Sequence, residues 1–175
     1  MLARYQWRHD GILLHFVSLL KTNIADGLSV YADLEGFKVN GGTIPANIIV
    51  TSQRPDLVII DKWKEIPEIL LIELTCPFES NIKNAEERKV RRYTSLQLDI
   101  ERSGLKCMVY TLEVGSRGYI TAKNKGIITT ILSKWKIKKQ TKIITELSKL
   151  ALLGSFSIYH ARQSSEWTTE LYIKA

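Results

Sequence analysis

Three consecutive segments constrain this chain more than any others: ILLIELTC at 69–76, a periodic stretch from Ser80 to Gly104, and LKCMVYTLEVG at 105–115. The first and third are continuous apolar runs, one stopped by Pro77 and the other by a glycine loop, as strands covered on both faces require. The middle stretch opens on a capping residue, Ser80 or Asn81, and closes on Gly104, where a left-handed residue is easily accommodated, so a helix is predicted. Strand, long helix and strand make a crossover unit, and an α/β fold follows.

Elements before and after this unit are shorter. A first helix is predicted from Asp10 to about Lys21, with Ile12, Phe16, Leu19 and Leu20 on one side. SVYADLEGFKVNGG suggests short strands and turns, and GTIPANIIVTSQRPDLVIID two strands broken at TSQRP. Beyond the GSRGYI loop, helices are predicted over GIITTILSKW and IITELSKLALLGSFSIYHA, joined by KIKKQTK, with a short strand over WTTELYIKA. At 175 residues the chain is the size of one domain, able to bury roughly 70% of its unfolded surface. The expectation is a single domain over 1–175, an α/β core at 1–122 carrying a lysine-rich helical extension at 123–175. ILLHFVSLL follows Arg4 and Arg8 as a signal peptide would, yet it contains His15, lacks a small-residue cleavage site and is too short to span a bilayer. It reads as an amphipathic helix, and no membrane partner is expected. Cys76 and Cys107 sit in apolar stretches, as reduced intracellular thiols do, and the three histidines show no zinc-ligand spacing.

Chemistry enters with Glu73, a carboxylate inside the apolar run ILLI-E-LTC. On the helix that follows, Ile82, Ala85, Lys89, Tyr93, Leu96 and Ile100 recur at steps of three and four, which places Lys89 in the middle of the buried stripe. Arg88, Arg91 and Arg92 fall away from it. A buried lysine needs a carboxylate partner, and a crossover helix packs back over the sheet that holds Glu73. Asp56, in the Pro-Asp of RPDLVIID, offers a second acid at the start of the preceding strand. Two carboxylates and a lysine on adjacent elements suit metal-dependent phosphodiester hydrolysis, with Asp56 and Glu73 holding Mg²⁺ or Mn²⁺ and Lys89 acting on the attacking water or the phosphate. The plainer readings are a Pro-Asp turn and a buried Glu73–Lys89 pair without catalytic meaning.

Pro55-Asp56 followed by Glu73 in an apolar strand resembles the PD-(D/E)-x-K nuclease superfamily, whose fold is a mixed sheet flanked by helices around a divalent-metal site. The pattern expects a lysine two residues after the acid, where this chain has Thr75. In some branches the lysine has moved to the following helix, the place of Lys89. RPDLVII, IELTCPFE, AEERKVRRY and EVGSRG together are similar to the restriction-like endonuclease domain of certain non-LTR retrotransposons and related element-derived animal proteins. The similarity covers roughly 1–122. It implies DNA nicking with Mg²⁺ or Mn²⁺ in an intracellular, nuclear setting; whether the substrate is duplex, branched or single-stranded DNA, or an RNA/DNA hybrid, is left open by the sequence. A dimer would allow double-strand breaks, and nothing in the sequence decides the oligomeric state. The alternative is a nucleic-acid-binding module that keeps the nuclease fold without catalysis.

Several residues stand beside the three. Thr75 shares a face with Glu73 and is a site hydroxyl or ordinary packing. Glu79 caps the helix start or adds a ligand. Tyr93, one turn past Lys89, belongs to the core or touches the phosphate. His9 lies near the first helix and reaches the site or serves the surface. Between Lys123 and Lys149 eight lysines face one acid, and the whole chain carries +7, which favours a polyanion. Candidate nucleic-acid contacts are Arg88, Arg92, Arg117 in its glycine-flanked loop, and Lys134, Lys136, Lys138, Lys139 and Lys142 around Trp135.

Overall fold

The computed structural model describes residues 2–23, 27–62 and 64–164. Among these residues four α-helices and four strands follow in the order α1 (Leu2–Asn23), β1 (Leu28–Ala32), β2 (Leu57–Asp61), β3 (Glu68–Thr75), α2 (Ile82–Arg102), β4 (Lys106–Glu113), α3 (Ala122–Lys134) and α4 (Gln140–His160). The strands form one mixed sheet in the order β1-β2-β3-β4. β1 pairs with β2, and β2 with β3, in antiparallel fashion, and β4 returns parallel to β3 after the α2 crossover, as strand, helix and strand demand.

Side-chain alternation along the strands divides the core between the two faces of the sheet. Leu57, Ile59, Leu70, Ile72, Leu74 and Leu112 meet Ile12, Phe16 and Leu20 of α1, Ile128 and Ile131 of α3, and Leu147 and Ala151 of α4. Val58, Ile60, Ile69, Leu71 and Cys107 meet Tyr93, Leu96 and Ile100 of α2. Every residue of β2 is buried, and so is all of β3 except half-buried Thr75, which explains why both read as unbroken apolar runs.

Three expectations change. α1 begins eight residues before Asp10, because Arg4 and Arg8 serve the tertiary structure: Arg4 donates to the Ala161 carbonyl, and Arg8 to Ser155 Oγ and the Cys76 carbonyl. Gly154 lets α4 approach, since a Cβ there would stand 2.7 Å from Arg8 Cγ. TIPANIIV is no strand, for Pro45 removes a donor and Ile48 N turns back to the Pro45 carbonyl. Asn81 precedes α2 without a side-chain cap bond, a short 3₁₀ turn at Glu79–Asn81 leading into the helix instead. Gly104 does end it in the left-handed region, at φ 85°. The strand expected over WTTELYIKA lies outside the described residues.

Candidate active site

β2 and β3 are paired with Leu57 opposite Ile72, so the next residue outward, Asp56, stands across from Glu73 on the α2 face. The two acids are crossed through the backbone. Asp56 N donates to Glu73 Oε2 at 3.2 Å, and Leu74 N donates to Asp56 Oδ2 at 2.8 Å. Lys89, on the buried stripe of α2, ion-pairs with Glu73 Oε1. The Glu73 side chain is 3% exposed, against 14% for Asp56 and 16% for Lys89: the acid is enclosed, while its partners open to the rim. One turn on, buried Tyr93 donates its hydroxyl to the Arg54 carbonyl at 3.0 Å and so ties α2 to the chain entering β2.

The opposite layer supplies a fourth group. His9 of α1 places Nε2 3.2 Å from both Asp56 Oδ2 and the Leu74 carbonyl, with Nδ1 2.9 Å from Asp10 Oδ1. Burial alone would lower its pKa, but the hydrogen bonds and charges of Asp56 and Asp10 outweigh that and raise it to about 9. The ring is therefore an imidazolium at neutral pH. Glu73 is also pushed up, first by burial and then by the Asp56 charge, against the pull of Lys89. A buried carboxylate raised in part by the charge of its neighbour is a place where a divalent cation could sit, since the ion's charge removes the repulsion. The donors within reach are hard oxygens, the Asp56 and Glu73 carboxylates. Among the described residues no group of three or more His, Cys, Asp and Glu side chains is placed to hold an ion. Mg²⁺, which keeps several waters and takes one or two carboxylates, is the cation suited to so few protein ligands.

The other sequence candidates divide. Thr75 follows Glu73 on the same face, with a buried Oγ1 that has no hydrogen-bond partner. Glu79 is not the residue that caps α2, and its carboxylate is given to Arg117: Oε1 accepts from Arg117 N at 2.7 Å and Oε2 from Arg117 Nε at 3.0 Å. Arg88 and Arg92 are exposed on α2. Lys134 is not at this end of the sheet: with Lys64 and Lys106 it surrounds Glu68, the first residue of β3. Lys136, Lys138 and Lys139 line an open hollow where α3 turns into α4, and Lys142 pairs with Glu146 at 3.6 Å. Of the two readings the sequence leaves open for His9, site or surface, the contact with Asp56 selects the first. A second acid, Glu113 at the end of β4, is fully buried against Asn124 of α3, and nothing in its own segment distinguishes it from a strand terminus.

No protein-family model matches the chain, and no curated protein matches it. Function is therefore read from the chemistry of the corner formed by Asp56, Glu73, Lys89 and His9.

Proposed function

We propose that this corner hydrolyses phosphodiester bonds with Mg²⁺ or Mn²⁺, and that the protein is a DNA endonuclease built on a restriction-endonuclease-like fold. The observation that carries the reading is the meeting of Lys89 with Glu73 directly across from Asp56. Three separate elements deliver these groups to one end of the sheet. Asp56 and Glu73 would hold the metal, which when bound supplies charge to offset that developing on the phosphate. Lys89 orients the attacking water by hydrogen bonding and places an ammonium beside the phosphoryl oxygens. His9, held as a cation by Asp56 and Asp10, positions Asp56 from behind and adds positive charge near a polyanionic substrate. Tyr93 sets the rotation of α2 and through it the reach of Lys89. Among the described residues no helix is long and apolar enough to cross a membrane. A nuclear setting would follow from a DNA substrate.

A supercoiled plasmid tests the reading. Nicking is expected only with Mg²⁺ or Mn²⁺, and Asp56→Asn, Glu73→Gln and Lys89→Met should each lower the rate at least about a hundredfold, on the order of losing a charged transition-state contact. Retained DNA binding with no metal-stimulated turnover in the unmodified protein would favour a binding module instead. Thr75 at the position where the superfamily pattern has lysine is the feature that favours that second reading.

A further inference from the structure

Two loops leave the end of the sheet that carries Glu73, residues 76–79 after β3 and 114–121 after β4. They are laced together. Val114 N donates to the Thr75 carbonyl, Ser116 N to the Pro77 carbonyl, and Gly115 N to the Tyr119 carbonyl. Glu79 holds Arg117 by backbone and guanidinium at once. From α4, Ser155 donates to the Ser116 carbonyl and Ser148 to the Gly118 carbonyl. Both glycines are required. A Cβ on Gly115 would stand 2.7 Å from Glu79 Oε1, and one on Gly118, at φ +84°, 2.7 Å from the Ser148 carbonyl.

This rigid support presents side chains that a mere turn has no use for. Phe78 and Tyr119 are 55% and 57% exposed, large apolar rings left in water. Arg117 lies with its guanidinium carbon 5.0 Å from the Phe78 ring centre. Its Nε is committed to Glu79, which leaves the two terminal nitrogens without a bond among the described residues. Exposed rings interleaved with a cation suit a nucleobase and its phosphate, since every base has a stacking face and a guanidinium matches phosphate oxygens. A paired base keeps its faces covered by its neighbours, so only an unpaired one is free to stack here. Five residues of chain separate Glu73 from Phe78, a span of at most about 18 Å, so one short stretch of strand reaches both.

We propose that Phe78, Arg117 and Tyr119 form a subsite for an unpaired nucleotide, and that the substrate class is nucleic acid with single-stranded or unstacked bases beside the cleaved bond. The subsite rests on the reading of Asp56, Glu73 and Lys89 as a phosphodiester hydrolase only for its link to cleavage, and binding is measured without it. Fluorescence anisotropy with a labelled twelve-residue oligothymidine and a twelve-base-pair duplex, in EDTA at fixed salt, separates the cases. The unmodified protein should bind the single strand more tightly. F78L/Y119L, which keeps apolar surface but removes the π faces, should lose at least about tenfold of single-strand affinity and little duplex affinity. Replacement by Trp at both positions should restore it. Equal affinity for the two probes, an equal loss on both, or leucine side chains performing as well as aromatic rings would overturn the subsite, the last result pointing to a protein partner. A protein that prefers the single strand yet fails to nick plasmid refutes only the hydrolase reading; one that nicks without the preference refutes only the subsite.

Discussion

Glu113 shows how a single buried carboxylate sets its own protonation. It has no exposure, and Oε2 accepts from Asn124 Nδ2 at 3.0 Å, while Glu113 Oε1 has no partner among the described residues. Burial pushes its pKa up, more strongly than Asn124, Thr111 and Lys123 pull it down. A neutral Glu113 carries a hydroxyl donor where the carboxylate has only acceptors. Because the folded form holds this proton more tightly than the unfolded chain, ionisation costs stability in full above the raised folded value, and the cost shrinks as pH falls through that value and is gone below the unfolded one. Glu113→Gln supplies the missing donor permanently. Its Tm should exceed that of the unmodified protein at pH 7, by about 2–4 °C for each kcal/mol recovered, and the gap should shrink in acid.

At the scale of elements, β3 carries a buried acid near each end, and the two act in opposite directions. Burial alone would raise Glu68, but hydrogen bonds from Lys134 and Lys64 outweigh it and lower the pKa, so folding favours the charge. That contribution is present above the ordinary carboxylate value and is lost as pH falls through the lower folded one. Glu73 is raised, so folding disfavours its charge. Glu68→Gln should therefore destabilise at pH 7 by roughly 1–3 kcal/mol, the worth of hydrogen bonds to charged groups. Glu73→Gln should hold or raise stability while removing nicking. Urea unfolding of both variants checks the contrast, and a loss in Glu73→Gln as large as in Glu68→Gln would contradict it. This strand also shows what sequence discloses. An acid in an apolar run is visible, and so is Lys89 on the helical stripe, because periods of two and 3.6 fix which face a side chain takes. TIPANIIV misleads for the complementary reason: its β-branched residues favour a strand, but with Pro45 and no neighbour to pair with, the segment turns on itself.

Across the whole molecule, the lysines between α3 and α4 and the candidate chemistry occupy different ends. Lys136, Lys138 and Lys139 follow Lys134, which is tied to Glu68 at the start of β3, whereas Glu73 lies five residues further along, roughly 17 Å at the usual strand rise. Composition reveals the lysines and not their location, and for the same reason the sequence leaves His9 between site and surface, a choice made by α1 crossing the sheet and bringing it to Asp56. On the proposed function, a nucleic acid engaging both regions runs along the molecule. K136Q/K138Q/K139Q should weaken binding, lower the slope of log affinity against log salt by about 2–3 if each lysine meets one phosphate, and leave the nicking rate at saturating DNA unchanged. The measurement that reaches the central claim most directly is calorimetric titration of Mn²⁺ into the unmodified protein, Asp56→Asn, Glu73→Gln and Lys89→Met. The account predicts saturable binding that is lost in the two acid variants and kept in Lys89→Met; equal Mn²⁺ binding by all four proteins, or by none, would contradict it.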